Sequence, residues 1–346
     1  MFELQCSGSF DEVDFVQMTW KNSVRMTEPL RIRGNQKGRP LRKLPRSATV
    51  CDPVDTHSPS FAALQQFLET DPQMAWATQG ADIQHRWPNI PVAQRRMKLA
   101  KAWKLFDASQ TASYHGGMMK VQRDCVDLPV AASSKWTSKD VSPAMHKARL
   151  DPKINETILL TGVPKAVVRK ILRNGLDERF AGSNAGSMFG EGNYFAGDAG
   201  KCDQCKQSTS NPHHNLLFRE MSERLRMDAD VTPNPGWKVD DDLHNMLYPD
   251  AADFLRGGEV FYIFVCKVCL GHCMHTDTKE GKRTGTGDYV FATKRRRVLV
   301  TVPGSDTVQF HSLLADTPYF RYREFVNFNS QYTHLEYLVA YQRVGA

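Results

Sequence analysis

No apolar run in the 346 residues approaches the roughly 18 that a membrane-spanning helix needs, so no membrane association is expected. Cysteine is sparse. Eight in a chain of this length exclude a disulfide-built scaffold, because such scaffolds are small and dense in Cys. The opening stretch MFELQCSGSFDEVDF is acidic and lacks the basic and apolar regions of a secretory signal. A reduced, intracellular protein of the nucleus or cytoplasm is therefore expected. Nor is any internal repeat visible, which excludes a solenoid or propeller.

What is present begins with charge. The chain carries a formal +7, and it is unevenly placed. Between Trp20 and Arg46 stand nine basic residues against one acid, Glu28, so this stretch alone carries +8. Such a cluster can release counterions on nucleic-acid phosphates. It holds one aromatic, Trp20, so no stacking platform accompanies it. A solvated basic tail or a localisation signal remains the alternative. Further on, Lys294, Arg295, Arg296 and Arg297 precede an apolar segment and read as a solvated hairpin loop.

At about 150 residues per domain, 346 residues divide into roughly two. Residues 1–144 read as loosely organised and partly disordered, with helices predicted over Phe61–Leu68 and Val92–Phe106 and loop-like punctuation from Asp107 to Ser138. From about residue 145 the texture changes. ETILLTGV reads as a strand with a Gly turn, and PKAVVRKILRNG as an amphipathic helix with Pro164 in its first turn. SMFGEGNYFAGDAGKC is a Gly-rich loop around a short aromatic strand, and residues 206–258 form a polar insertion. EVFYIFVCKVCLG is an apolar strand buried on both faces, carrying Cys266 and Cys269 into the core beside Cys273. VLVTVPG, YREFVNFN and HLEYLVAYQR add three more strands. Strands outnumber helices without alternating with them, which is an α+β pattern.

Four ordered blocks carry a resemblance: NETILLTGVPKAVVRKILRNGLDERFAGSNAGSMFGEGNYFAGDAGKCDQC, then FYIFVCKVCLG, then HSLLADTP, then YREFVNFNSQYTHLEYLVAYQR. Together, over residues 145–346, they resemble the catalytic domain of the poly(ADP-ribose) polymerases (PARPs). The resemblance implies cleavage of the nicotinamide–ribose bond of NAD+ and transfer of ADP-ribose to an acceptor, by default a protein. It implies a nicotinamide gripped by Gly162, Tyr194 set against its ring, Lys201 nearby, and Glu336 as the catalytic carboxylate that stabilises a developing ribosyl cation.

Three positions depart from the family. Thr161 stands where the family has a His that bonds the adenine ribose. Cys202 replaces the Ser that bonds the carboxamide, and Cys205 replaces a second stacking Tyr. A thiol bonds more weakly than a hydroxyl, so the grip on NAD+ is expected to be eroded. The alternative reading is therefore a weak or inactive PARP-like module that binds protein, ADP-ribose or nucleic acid. Cys202, Cys205, His213 and His214 would also make a tetrahedral zinc set by residue type. Adjacent histidines rarely share one metal and the spacing matches no ordinary finger, so reduced thiols are expected and zinc is not.

Overall fold

The computed structural model describes residues 49–68, 96–126, 128, 130, 150–178, 188–204, 247, 260–320 and 322–344. They belong to a compact unit spanning Ser47–Ala346, whereas the unit Met1–Arg46, with its basic stretch, lies outside the described residues. The insertion at 206–258 also lies outside them except for Leu247.

The architecture is α+β. One antiparallel sheet has the order β1-β2-β9-β5-β3, formed by Val50–Pro53 (β1), Arg96–Phe106 (β2), Glu156–Val163 (β3), Phe261–Cys269 (β5) and Thr333–Val344 (β9). A second sheet has the order β4-β8-β7-β6, from Asn193–Phe195 (β4), Cys273–Thr276 (β6), Ser312–Ala315 (β7) and Glu324–Asn327 (β8). The two meet where Leu160 and Ala196 exchange both backbone hydrogen bonds, at 2.9 and 2.8 Å. Four helices pack on these sheets: Pro59–Leu68 (α1), Ala108–Val126 (α2), Lys165–Asn174 (α3) and Ala199–Gln204 (α4). Among the described residues no helix is long and apolar enough to cross a membrane.

The apolar runs β5 and β3 pair side by side in the first sheet, between two cores. β5 and β3 are buried along nearly their whole length, so every second residue faces one of two cores. Leu159, Phe264, Cys266, Leu335 and Leu338 share one core, under α3. Leu160, Ile263, Val265, Val339, Ala199 and Cys202 share the other, under α1 and α4.

Three expectations are corrected. Val92–Phe106 is not a helix: its described part, Arg96–Phe106, is a strand paired with β9. Its register shifts between Leu99 and Lys101, so one extra residue breaks the period-2 alternation of buried and lysine positions. A bulge of this kind turns an alternating pattern into one that mimics a helical stripe. The stretch after Asp107 is not loop but the 19-residue helix α2. Asp107 starts it, its carboxylate accepting from the N–H groups of Ser109 and Gln110 at 2.9 and 3.0 Å. Gly116 and Gly117 hid it in the sequence; a side chain at Gly117 would run into the backbone of Gln331, so the glycine permits a close crossing. VLVTVPG forms only isolated bridges, Phe291 to Leu299 and Thr301 to Gln309. The first sheet thus draws on chain from both sides of residue 145.

Helix α2 is bonded into this sheet by a buried hydroxyl, since Tyr114 donates to the carboxylate of Glu156 on β3. Tyr114→Phe is expected to destabilise the protein by about 1–3 kcal/mol, because the buried carboxylate loses a donor. A denaturant midpoint equal to wild type would show that α2 is not held this way.

Candidate active site

Strand alternation and core membership decide which candidate residues face one another. Gly162 on β3 faces α4, where a Cβ on the glycine would sit 2.7 Å from the Cys202 carbonyl oxygen. No larger residue fits without moving the helix. Cys202 is itself buried in the core that contains Leu160 and Val265. Next to it on the helix, Lys201 pairs with Glu324 of β8 at 2.9 Å rather than with Glu336.

Glu336 lies on the same face. It is the extra residue of a bulge in β9: Leu335 pairs with Cys266 and Tyr337 with Val265, leaving Glu336 without a partner position. Bulges re-aim side chains, often beside active sites. Here the carboxylate meets the Lys104 ammonium of β2, and that ammonium also lies 4.4 Å from the centre of the Tyr337 ring. Tyr337 packs against the core that holds Cys202. Between β9 and β3 runs only β5, so two strand spacings, about 10 Å, separate the Glu336 backbone from the Leu160 level.

The second partner of Glu336 is His334, whose Nδ1 is 2.8 Å from Oε1. On its other side, Nε2 is 3.0 Å from Thr111 Oγ1. The Thr111 hydroxyl donates its one hydrogen to the Asp107 carbonyl at 2.8 Å, so toward His334 it accepts. An ionised carboxylate also only accepts. His334 thereby ties the Glu336 carboxylate to the first turn of α2. Burial acts to raise the Glu336 pKa, but the His334 hydrogen bond and the Lys104 charge outweigh it and hold the carboxyl at about 2. Glu156, Lys267, His334, Glu336 and Lys104 together form a polar row across four strands, with Lys267 3.8 Å from Glu156.

A consequence for stability follows from the sign. The folded value of about 2 lies below the ordinary 4.5, so the ionised form stabilises the fold above pH about 4.5. That contribution, about 3 kcal/mol, is lost as pH falls toward 2. Denaturant unfolding across this window should show the loss in wild type, and a shallower one in Glu336→Gln. Identical slopes would contradict it.

The remaining candidates are more dispersed. Thr161 is buried and, by alternation, shares the face of Leu159 and Val163, opposite to Gly162. The Tyr194 hydroxyl is pinned between the Phe189 N–H at 2.9 Å and the Gly190 carbonyl at 2.8 Å, and burial pushes its pKa well up. Its ring packs with the core of the second sheet. Cys205, His213 and His214 lie outside the described residues. Among the described residues no group of three or more His, Cys, Asp or Glu could hold a metal. Cys266 and Cys269 are buried free thiols.

Sequence reasoning missed Lys104 and His334. Lys104 was invisible because its segment read as a helix. His334 had a signal, since residues two apart on a strand share a face.

Compared with protein families, residues 131–343 match the profile of the Poly(ADP-ribose) polymerase catalytic domain. No curated protein matches the chain. Strands β1 and β2 and helix α2 precede the matched residues, although the two strands complete the sheet that carries Glu336 and the helix is bonded to it through Tyr114.

Proposed function

The chain belongs to the poly(ADP-ribose) polymerase catalytic-domain family, and from that membership we propose that it is an NAD-dependent ADP-ribosyltransferase acting on a protein acceptor. The observation that carries this reading is an ionised, buried carboxylate at Glu336, aimed by a bulge to the face where Gly162 meets Cys202. NAD+ is the substrate. As its nicotinamide–ribose bond breaks, both bonding electrons leave with nicotinamide and positive charge develops on the ribose. A fixed carboxylate stabilises that charge more in the transition state than in the ground state. Lys104 and His334 keep Glu336 ionised and in one place; the acceptor's nucleophile then takes the ribosyl carbon and loses its proton to solvent.

Cys202 is the member of the grip most open to a direct test. Cys202→Ser restores a hydroxyl at a buried position beside Gly162 without adding volume. It is expected to tighten binding of a non-hydrolysable NAD analogue by about 0.5–1.5 kcal/mol, two- to tenfold in Kd by calorimetry. A folded Cys202→Ser variant that binds no better would remove Cys202 from the site. With the grip weakened in wild type, addition of a single ADP-ribose is favoured over polymer growth, which demands repeated capture of NAD+.

A second reading has its own observation. The Glu336 carboxylate is engaged by the Lys104 ammonium and the His334 ring, as it would be in an inactive module where it serves the fold alone. Release of nicotinamide from NAD+ by the full chain separates the two readings.

A further inference from the structure

Residues 279–297 carry seven Lys and Arg against two acids, Glu280 and Asp288, and four of the seven are consecutive, Lys294 to Arg297. They belong to an irregular meander between β6 and β7. Val290 bonds back to Lys282 and forward to Val300, and the chain turns at 284–288 and again at 293–297. The second turn folds against the first strand of the meander, where the Arg296 guanidinium reaches the Glu280 carbonyl at 3.4 Å. Lys279 therefore joins the 294–297 cluster in space.

The arm is fixed to the candidate active site. Arg296 donates to the Met188 carbonyl, Arg297 pairs with Glu191, and the Glu191 N–H bonds the Arg296 carbonyl at 2.8 Å. Those are residues of the Gly-rich loop whose Gly190 carbonyl holds the Tyr194 hydroxyl. With Arg296 and Arg297 committed to the loop, Lys294 and Arg295 stand exposed without a carboxylate partner among the described residues. Further along the arm, Tyr289 is 63 % exposed, and the Arg283 guanidinium lies 3.9 Å from the centre of its ring. The Thr284, Thr286 and Thr293 hydroxyls are bonded inside the arm, to one another, to Asp288 and to the Arg295 carbonyl, and so brace its two turns.

We infer that this arm docks the backbone of a single-stranded nucleic acid at the rim of the active site. Unpaired cations at a rigid turn match phosphodiesters, and an exposed aromatic capped by Arg is the element on which a base stacks. An anionic membrane would call for an apolar wedge, and apart from Tyr289 the only large apolar side chain exposed on the arm is Val298, at 37 %. An acidic protein partner would call for a well-packed aromatic or aliphatic anchor, whereas the large exposed side chains of the arm are charged or polar apart from Tyr289 and Val298. The inference does not depend on transferase activity, and its readout is binding.

The test is fluorescence anisotropy of a labelled single-stranded oligonucleotide of about 20 nucleotides with the full chain, at about 50 and 200 mM salt. Lys294→Glu with Arg295→Glu is expected to weaken binding at least tenfold and to reduce the salt slope by about 1.4, two contacts at about 0.7 each. Tyr289→Ala is expected to cost a further fivefold or more. Lys294→Ala with Arg295→Ala, checked for an unchanged melting temperature, should lose affinity in the same direction. Binding that survives in the arm variants but disappears in Arg31→Glu with Arg33→Glu would overturn the inference, because the N-terminal stretch would then be the only contact. It is equally overturned if wild type binds no oligonucleotide, or binds a poly-glutamate peptide or anionic vesicles as tightly as the oligonucleotide.

Discussion

Glu336→Gln is expected to lower transferase turnover by about 10²–10³-fold while also weakening the fold. The first effect has the size seen when one preorganised group facing a transition-state charge is removed. The second arises because the Lys104 ammonium would lose its anion and the His334 ring its carboxylate hydrogen-bond partner. An amide oxygen can still accept one hydrogen bond, so the cost is about 1–3 kcal/mol rather than that of a wholly unpaired ion. The substitution is therefore not silent in stability. Adding Lys104→Met in the Glu336→Gln background should recover part of the lost stability without recovering turnover. If the double variant is less stable than the single one, Lys104 does more for the fold than balance this carboxylate.

Gly162→Ala carries the second large effect. An added methyl would sit 2.7 Å from the Cys202 carbonyl oxygen and 3.0 Å from its Cβ. The nearer atom belongs to the backbone, so relief requires α4 to move. That helix is held on its far side by Asp203, which accepts from the buried Tyr341 hydroxyl at 2.7 Å. Overpacking of this kind costs about 1–3 kcal/mol. A shift of the helix by a fraction of an ångström would also displace Lys201 and Cys202, and misplacement on that scale can cost about 100-fold in rate. The expected result is a lower denaturant midpoint together with a turnover loss larger than the stability change accounts for. A Gly162→Ala variant with wild-type stability and NAD binding would mean that α4 does not lie against β3 in this way.

How far the sequence reached is clearest in the strands. ETILLTGV, FYIFVCKVC and HLEYLVAYQR were legible because each is a mostly buried, predominantly apolar run with little exposed polar surface to disguise it. The strand Arg96–Phe106, between β1 and β9, was not legible, since four of its eleven residues are Lys or Arg and its bulge imitates helical spacing. Helix α2 was hidden by Gly116 and Gly117, the second of which permits the close crossing over Gln331. In the site, Gly162, Cys202 and Glu336 could be named from motif order, yet nothing local to Glu336 showed the bulge that aims it. Its partner Lys104 lies 232 positions away in the chain. Long-range pairing of that kind is set by sheet topology, which a single sequence does not display.

The most direct test is incubation of the full chain with labelled NAD+, wild type beside Glu336→Gln, measuring nicotinamide release and label on protein together. The expected result is release of nicotinamide by wild type, matched by ADP-ribose on the chain itself or on added protein, with both reduced at least 100-fold in Glu336→Gln. Folded wild type that releases no nicotinamide, or a Glu336→Gln variant that releases it at the wild-type rate, would contradict the assignment of Glu336 as the carboxylate that drives transfer.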